Sequence, residues 1–179
     1  MWRSPLCTPE PRPVSMPISL FRIDDRLVHG QVVVGWGQPL KVGFIVLADD
    51  DVAAEEWEQE LYRMGVPPNV DVYFSTVADA ARALERYSSD ARPGVLLTGT
   101  IDAMLRLVRA APRGAVRSVN IGGIHHRDDR AQKLRYVFLT AQEEDELRAL
   151  AESGVTVTAQ DVPSAHAVPL SDILSGAQA

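Results

Sequence analysis

The chain has 179 residues, 46% of them hydrophobic and 23% charged, enough for one domain of ordinary size with a real core. Its net charge of -6 and pI near 5.2 exclude the basic face of a phosphate-backbone binder, and no apolar run approaches the roughly 20 residues of a membrane-spanning helix. A single cysteine, Cys7, excludes an internal disulfide and a cysteine-rich metal site, usage that fits a cytoplasmic location.

In chain order, residues 1–16 are dense in proline, without periodicity, and lack the apolar core of a secretory signal; they read as a disordered tail, with Met16 as an alternative start. One domain is expected over 17–170, followed by a loose C-terminal tail over 171–179. ISLFRI (18–23) is the first strand, and HGQVVVGWGQPL begins helically and stops near Gly37 and Pro39. VGFIVLA (42–48) is a nearly continuous apolar run, as in a strand buried on both faces. DDVAAEEWEQELYRMG then predicts one helix with Ala53, Trp57, Leu61 and Met64 on its inner face. VDVYFS (70–75) and GVLLTG (94–99) are further strands, each followed by a helix with Thr76 or Thr100 as N-cap. SVNIGG (118–123) makes a fifth strand, HHRDDRAQ a polar loop, and RYVFLT (135–140) a sixth strand. AQEEDELRALAESG is a final helix stopped by Gly154, VTVTAQDV (155–162) a seventh strand, and one loose turn is expected around Ser171–Leu174. The alternation predicts an α/β fold: an open, doubly wound, mostly parallel sheet of about seven strands with helices on both faces.

In such a sheet ligands bind outside the carboxyl ends of the strands, so the residues just after each strand carry the functional expectation. Four junctions fall on that edge: DDRLVHG, ADDD, TGT (98–100) and GGIHHR. The first is the richest. A histidine at a helix start is a nucleophile near neutral pH when one ring nitrogen keeps its lone pair, and Asp24 or Asp25 on the other nitrogen would fix that tautomer. Arg26 can grip phosphoryl oxygens in its planar fork, and the amides of Gly30, Gln31 and Val32 would add an anion site, with Gly30 allowing close approach. Together these suffice for phosphoryl transfer at His29, which asks mainly for positioning and charge stabilisation.

Each signal also has a plain structural reading. Strand-end acids often cap helices, a turn histidine is often a hydrogen-bonded surface residue, and Arg22 within a strand fits a salt bridge. Asp49, Asp50 and Asp51 read as caps and dipole complements rather than cation ligands. Thr98, Thr100, Gly122, Gly123 and His125 are candidates for a cleft rim, while His126 reads as solvated loop and His166 as surface. Trp36 and Trp57 read as packing aromatics, and no metal site is assigned.

RIDDRLVHGQV, Trp36, IVLADDDVA, MGVPPNVDVYFS and VNIGGIHHR, in that order from about Ile18 to Val162, resemble the enzyme IIB component of the mannose/fructose/sorbose family of the phosphoenolpyruvate-dependent sugar phosphotransferase system (PTS). The resemblance implies that His29 carries a phosphoryl group on Nδ1, received from a IIA partner and passed to a sugar presented by the membrane components IIC and IID. Arg26 would steady the phosphoryl group, Asp24 and Asp25 would support the loop, and no metal or organic cofactor is implied. A peripheral rather than integral place at the membrane is expected, with the IIA donor a separate protein. The alternative is a regulatory phosphoacceptor without a cognate permease; a ligand-binding domain without transfer chemistry is a third reading. Two departures, GIHHRDDRAQ with its extra charge and Gly-Gln-Pro after Trp36, point to altered docking or sugar preference and an early end to the first helix.

Overall fold

The structure, a computed structural model, describes residues 18–176; the expected N-terminal tail of 1–16 lies outside them. Six of the seven strands of the main sheet run parallel. They are β1 (Ile18–Ile23), β2 (Phe44–Ala48), β3 (Asp71–Ser75), β4 (Gly94–Thr98), β5 (Ser118–Ile121) and β8 (Thr156–Ala159), joined by a two-residue antiparallel edge, β9 (Val168–Pro169), in the order β3-β2-β4-β1-β5-β8-β9.

The period-2 geometry of a strand sends successive side chains to opposite faces, and the apolar runs feed both. Phe44, Val46, Ala48 and Leu96 join the larger core beneath α3 (Val77–Arg82), α4 (Leu84–Ser88), α5 (Ile101–Ala110) and α6 (Ala141–Glu152). Ile45, Leu47, Val95 and Leu97 face the other way, against Val32 and Val33 of a π-helix (Gln31–Trp36) and Val52 of α1 (Asp50–Ala54). The doubly wound expectation therefore holds, and both predicted threonine caps are made: Thr76 Oγ1 accepts from Asp79 N at 3.1 Å and Thr100 Oγ1 from Ala103 N at 3.1 Å.

Three local expectations are corrected. The long second helix is broken at Glu55, whose extended backbone (φ -115°, ψ 95°) separates α1 from α2 (Glu56–Met64). The break resets the helical phase, so Tyr62 turns inward and Trp57, Leu61 and Met64 are left 65%, 52% and 71% exposed. The sixth strand does not enter the main sheet: β7 (Val137–Leu139) pairs antiparallel with β6 (Ala131–Leu134), which takes up the end of the predicted polar loop. The hairpin turns at Arg135–Tyr136, without the Asn-Gly type of signal that announces such a turn. At the C-terminus, α7 (Leu170–Ser175) replaces the loose turn and buries Ile173 completely.

Helix α6 begins in a capping box: Thr140 Oγ1 accepts from Glu143 N at 3.1 Å, and the Glu143 carboxylate accepts from Thr140 N at 2.8 Å. Thr140→Ala should lower unfolding stability by about 1 kcal/mol in urea denaturation while Thr140→Ser keeps most of it. Equal loss in both variants would place the effect outside the cap.

Candidate functional site

β1 lies between β4 and β5, and its carboxyl end is laced to both neighbours. Asp24 N donates to Thr98 O at 3.0 Å, Asp25 N to Gly123 O at 3.0 Å, and Gly122 N to Ile23 O at 2.7 Å. The loop Asp24–Gly30 is thus anchored at the carboxyl edge of the sheet, where the sequence placed it.

At its base is a buried charge network. Alternation puts Arg22 and Asp24 on one face of β1, and register sets Arg22 beside Asn120 of β5. Both charged side chains are fully buried. Arg22 Nη2 lies 3.0 Å from Asp24 Oδ2; Nη1 donates to Asn120 Oδ1 and, at 2.9 Å, to Gln160 O, while Nη2 also reaches Asp161 O at 3.3 Å. Trp36 covers the guanidinium, its ring centroid 5.1 Å from Cζ, and its indole N–H donates to Asp161 O at 3.2 Å. Trp36 therefore packs, as expected, but on a charge.

Asp24 serves four partners. Beyond Arg22, its oxygens accept from Gly123 N at 3.1 Å and from Arg26 Nε at 3.2 Å and Nη2 at 3.4 Å, and Oδ2 lies 3.9 Å from His29 Nε2. Burial alone would raise the Asp24 carboxyl, but the Arg26 hydrogen bonds, the Arg22 charge and the Gly123 amide together hold it below the usual carboxylate range. Burial likewise lowers the Arg22 pKa, opposed mainly by Asp24. Gly122 is required by this packing, since a Cβ there would collide with the Arg22 guanidinium and Asp24 Oδ2.

His29 is mostly covered, its side chain 18% exposed. Its Nδ1 is 2.8 Å from Leu27 O, and because a carbonyl only accepts, that nitrogen carries the proton. Nε2, the lone-pair nitrogen of the neutral ring, is buried without a hydrogen-bond partner and turned toward Asp24. Leu27 supplies its carbonyl from a left-handed backbone (φ 54°) that its own N–H fixes by donating to Asp24 O at 2.9 Å. For a residue with a Cβ that conformation costs on the order of 1–2 kcal/mol.

Several expectations change. Asp24, not Asp25, faces His29; Asp25 turns away to His125, with Oδ1 2.6 Å from Nδ1 and Oδ2 2.7 Å from His125 N. The Val32 amide donates to His29 O at 3.0 Å, so it is not free for an anion. Gln31 acts through its side chain, its Oε1 accepting from Arg26 Nη2 at 2.7 Å, and nothing lies within 4 Å of a Cβ built on Gly30. Thr98 is fully buried, its hydroxyl donating to Thr100 O at 3.2 Å, and Gly122 and Gly123 are also buried; none of the three forms a rim. Thr100 caps α5, and of the five rim candidates His125 is exposed within the site itself. Asp49 caps α1 and Asp50 bonds Val77 N and Arg106, so the acidic run is spent on structure as read. Arg22 makes the salt bridge that its place in a strand suggests, but inside the site, and Asn120, Gln160 and Asp161 join it there without a sequence signal of their own.

With this geometry in view, the comparisons decide the family. The model of the PTS system sorbose subfamily IIB component matches residues 18–179. The chain belongs to that family. It is 32% identical to the sorbose-specific EIIB component of Klebsiella pneumoniae over 161 residues, covering 88% of this chain and 94% of that one. It is 29% identical over 164 residues to the mannose-specific EIIAB component of Escherichia coli, covering 89% of this chain but only 49% of that protein. The IIBSor domain of the Klebsiella pneumoniae sorbose permease superposes with a TM-score of 0.79 at 28% identity, covering 89% of this chain and 97% of the domain. PTS IIB components are phosphotransferases that accept a phosphoryl group from IIA and transfer it to a sugar.

Removing one member of a buried pair leaves an uncompensated charge, at a cost of about 3–5 kcal/mol. Arg22→Met should lose stability on that scale in chemical denaturation, and adding Asp24→Asn should restore part of it. Additive losses would show that the two side chains do not act as a pair. Because the native Asp24 carboxyl titrates below its unfolded value, its stabilisation is complete above about pH 4 and drains as pH falls through the lower native pKa. Asp24→Asn should accordingly flatten the acid limb of the stability profile.

Proposed function

We propose that this IIB component carries its phosphoryl group on His29, taking it from a IIA partner and delivering it to a sugar held by IIC and IID permease components at the cytoplasmic face of the membrane. The observation supporting this reading is the convergence of His29, Asp24 and Arg26 at the carboxyl edge of the sheet, within hydrogen-bonding or ion-pair reach of one carboxylate. Among the described residues no helix is long and apolar enough to cross a membrane, so delivery to a membrane-held sugar calls for partner proteins.

Attack through Nδ1 requires that its hydrogen bond to Leu27 O open and that its proton leave, with Nε2 protonated in its place. Nε2–H then faces Asp24, whose buried charge stabilises the imidazolium that forms as the bond from Nδ1 to phosphorus is made and the donor's bond to phosphorus breaks. Arg26, 35% exposed and braced by Asp24 and Gln31, offers its guanidinium to the phosphoryl oxygens. Holding these groups in place before the donor arrives removes most of the reorganisation from the transfer step.

Incubation with phosphoenolpyruvate, the general relay proteins and a IIA donor should leave one acid-labile, base-stable phosphate on the wild type and none on His29→Ala. Equal labelling of both would remove His29 from the mechanism. Arg26→Ala should stay folded, because its guanidinium lies at the surface of the network, and should accept phosphate about a hundredfold more slowly in single turnover. Passage of the label to sugar in membranes bearing IIC and IID separates transport from a purely regulatory phosphoacceptor.

A further inference from the structure

Asp25 is the one acid of the site loop that does not face His29, and both its oxygens are spent on a residue 100 positions away. His125 donates its backbone N–H to Oδ2, and its Nδ1 lies 2.6 Å from Oδ1. Behind it stands Arg130, 7% exposed, with Nη1 donating to His125 O at 3.0 Å and lying 3.7 Å from Asp25 Oδ2. Arg130 is held in turn by two hydrogen bonds to Glu143, the same carboxylate that closes the capping box of α6. The ring is thus held by Asp25 and the backbone beneath it by Asp25 and Arg130.

The orientation is as informative as the grip. An ionised carboxylate accepts, so the Asp25 contact commits the Nδ1 proton and leaves Nε2 as the other functional nitrogen. A Cβ at Gly123 would lie 3.1 and 3.3 Å from Arg26 Nη2 and Nε and 3.2 Å from His125 Cε1. Glycine at 123 therefore lets the Arg26 guanidinium and the ring edge of His125 between its two nitrogens close over the same backbone position from two sides. Arg26 reaches Asp24, and Asp24 faces His29, so the two imidazoles belong to one connected site.

We propose that His125, oriented by Asp25, is a second phosphoryl-contacting residue: in its imidazolium form Nε2–H donates to an oxygen of the transferring group, beside the Arg26 guanidinium that meets it at Gly123. This rests on the reading of His29 as the acceptor and adds a donor to it. The contact requires the imidazolium, because neutral His125 with its proton on Nδ1 would present a lone pair to phosphoryl oxygen. The charged groups around the ring are Asp25, Arg26 and Arg130, with Glu143 behind Arg130, while His126 sits edge-on to Phe138, with ring centroids 5.5 Å apart. Transfer therefore needs the two imidazoles in opposite protonation states, His125 with both nitrogens protonated as donor and His29 with a free lone pair as acceptor. Their product is a bell-shaped profile.

The test is single-turnover transfer from phosphorylated IIA at saturating donor, followed across the neutral pH range. His125→Ala should transfer about tenfold or more slowly than the wild type, the scale of one charge-assisted hydrogen bond. His125→Gln, a donor at every pH, should keep the rise from the acid side and lose the alkaline fall. Asp25→Asn should slow transfer without adding to His125→Ala. Wild-type rate and pH profile in His125→Ala would overturn the proposal, and if that variant does not fold, an unchanged bell in His125→Gln does the same. Failure of His29 is a separate result, read from equal labelling of wild type and His29→Ala.

Discussion

The site is organised around the ion pair of Arg22 and Asp24, two charges with no solvent exposure at the carboxyl end of the central strand. Burying either alone would cost several kcal/mol, and attraction between them does not reliably offset the loss of hydration. What makes the arrangement tenable is the number of partners: Asp24 collects an amide and two guanidinium groups, and the two Nη atoms of Arg22 collect a carboxylate, an amide oxygen and two carbonyls, with Nε alone left buried and unpaired. Those partners come from β1, β5, the loop beyond β5 and the segment after β8, so satisfying one aspartate ties together strand ends far apart in sequence. The glycine at 122 and the Trp36 ring over Arg22 follow from the same requirement, one admitting the pair and the other sealing it.

Sequence periodicity carried the fold wherever a segment met the core by itself. VGFIVLA and GVLL are apolar because both their faces are covered, and the helices after them start at the caps Asp49 and Thr100. It failed where geometry depended on a contact elsewhere. Nothing in AAEEWEQ announces that Glu55 leaves the helix, so Trp57, Leu61 and Met64 seemed to continue the inner face of α1. RYVFLT has the composition of a sheet strand, but only its middle is extended, and its partner is the charged stretch just before it. The end around Ile173 was too short to show a period, although the core needs that side chain.

For the site the division is similar. DDRLVHG was legible because its residue types sit at a strand-to-helix junction, where chemistry and topology point the same way. The roles of the two aspartates were not, since adjacent side chains in a loop diverge and only the structure shows Asp24 turning in and Asp25 out toward His125. Arg22 reads as a strand arginine that fits a salt bridge, and it makes one, but its further partners Asn120 and Asp161 lie 98 and 139 residues away. Long-range pairing of this kind leaves no trace in local spacing.

The resting state of His29 is a closed one. Its Nδ1 proton is held by Leu27, and its other nitrogen is buried against a carboxylate. Opening that state costs one hydrogen bond to a carbonyl, worth about 1 kcal/mol net. The left-handed backbone of Leu27 is fixed separately, by its own N–H to Asp24 O, so the carbonyl that holds one ring nitrogen is set by the same residue whose carboxylate faces the other. Ring and loop therefore both depend on Asp24, and Asp24 is itself held in place by the buried pair it makes with Arg22.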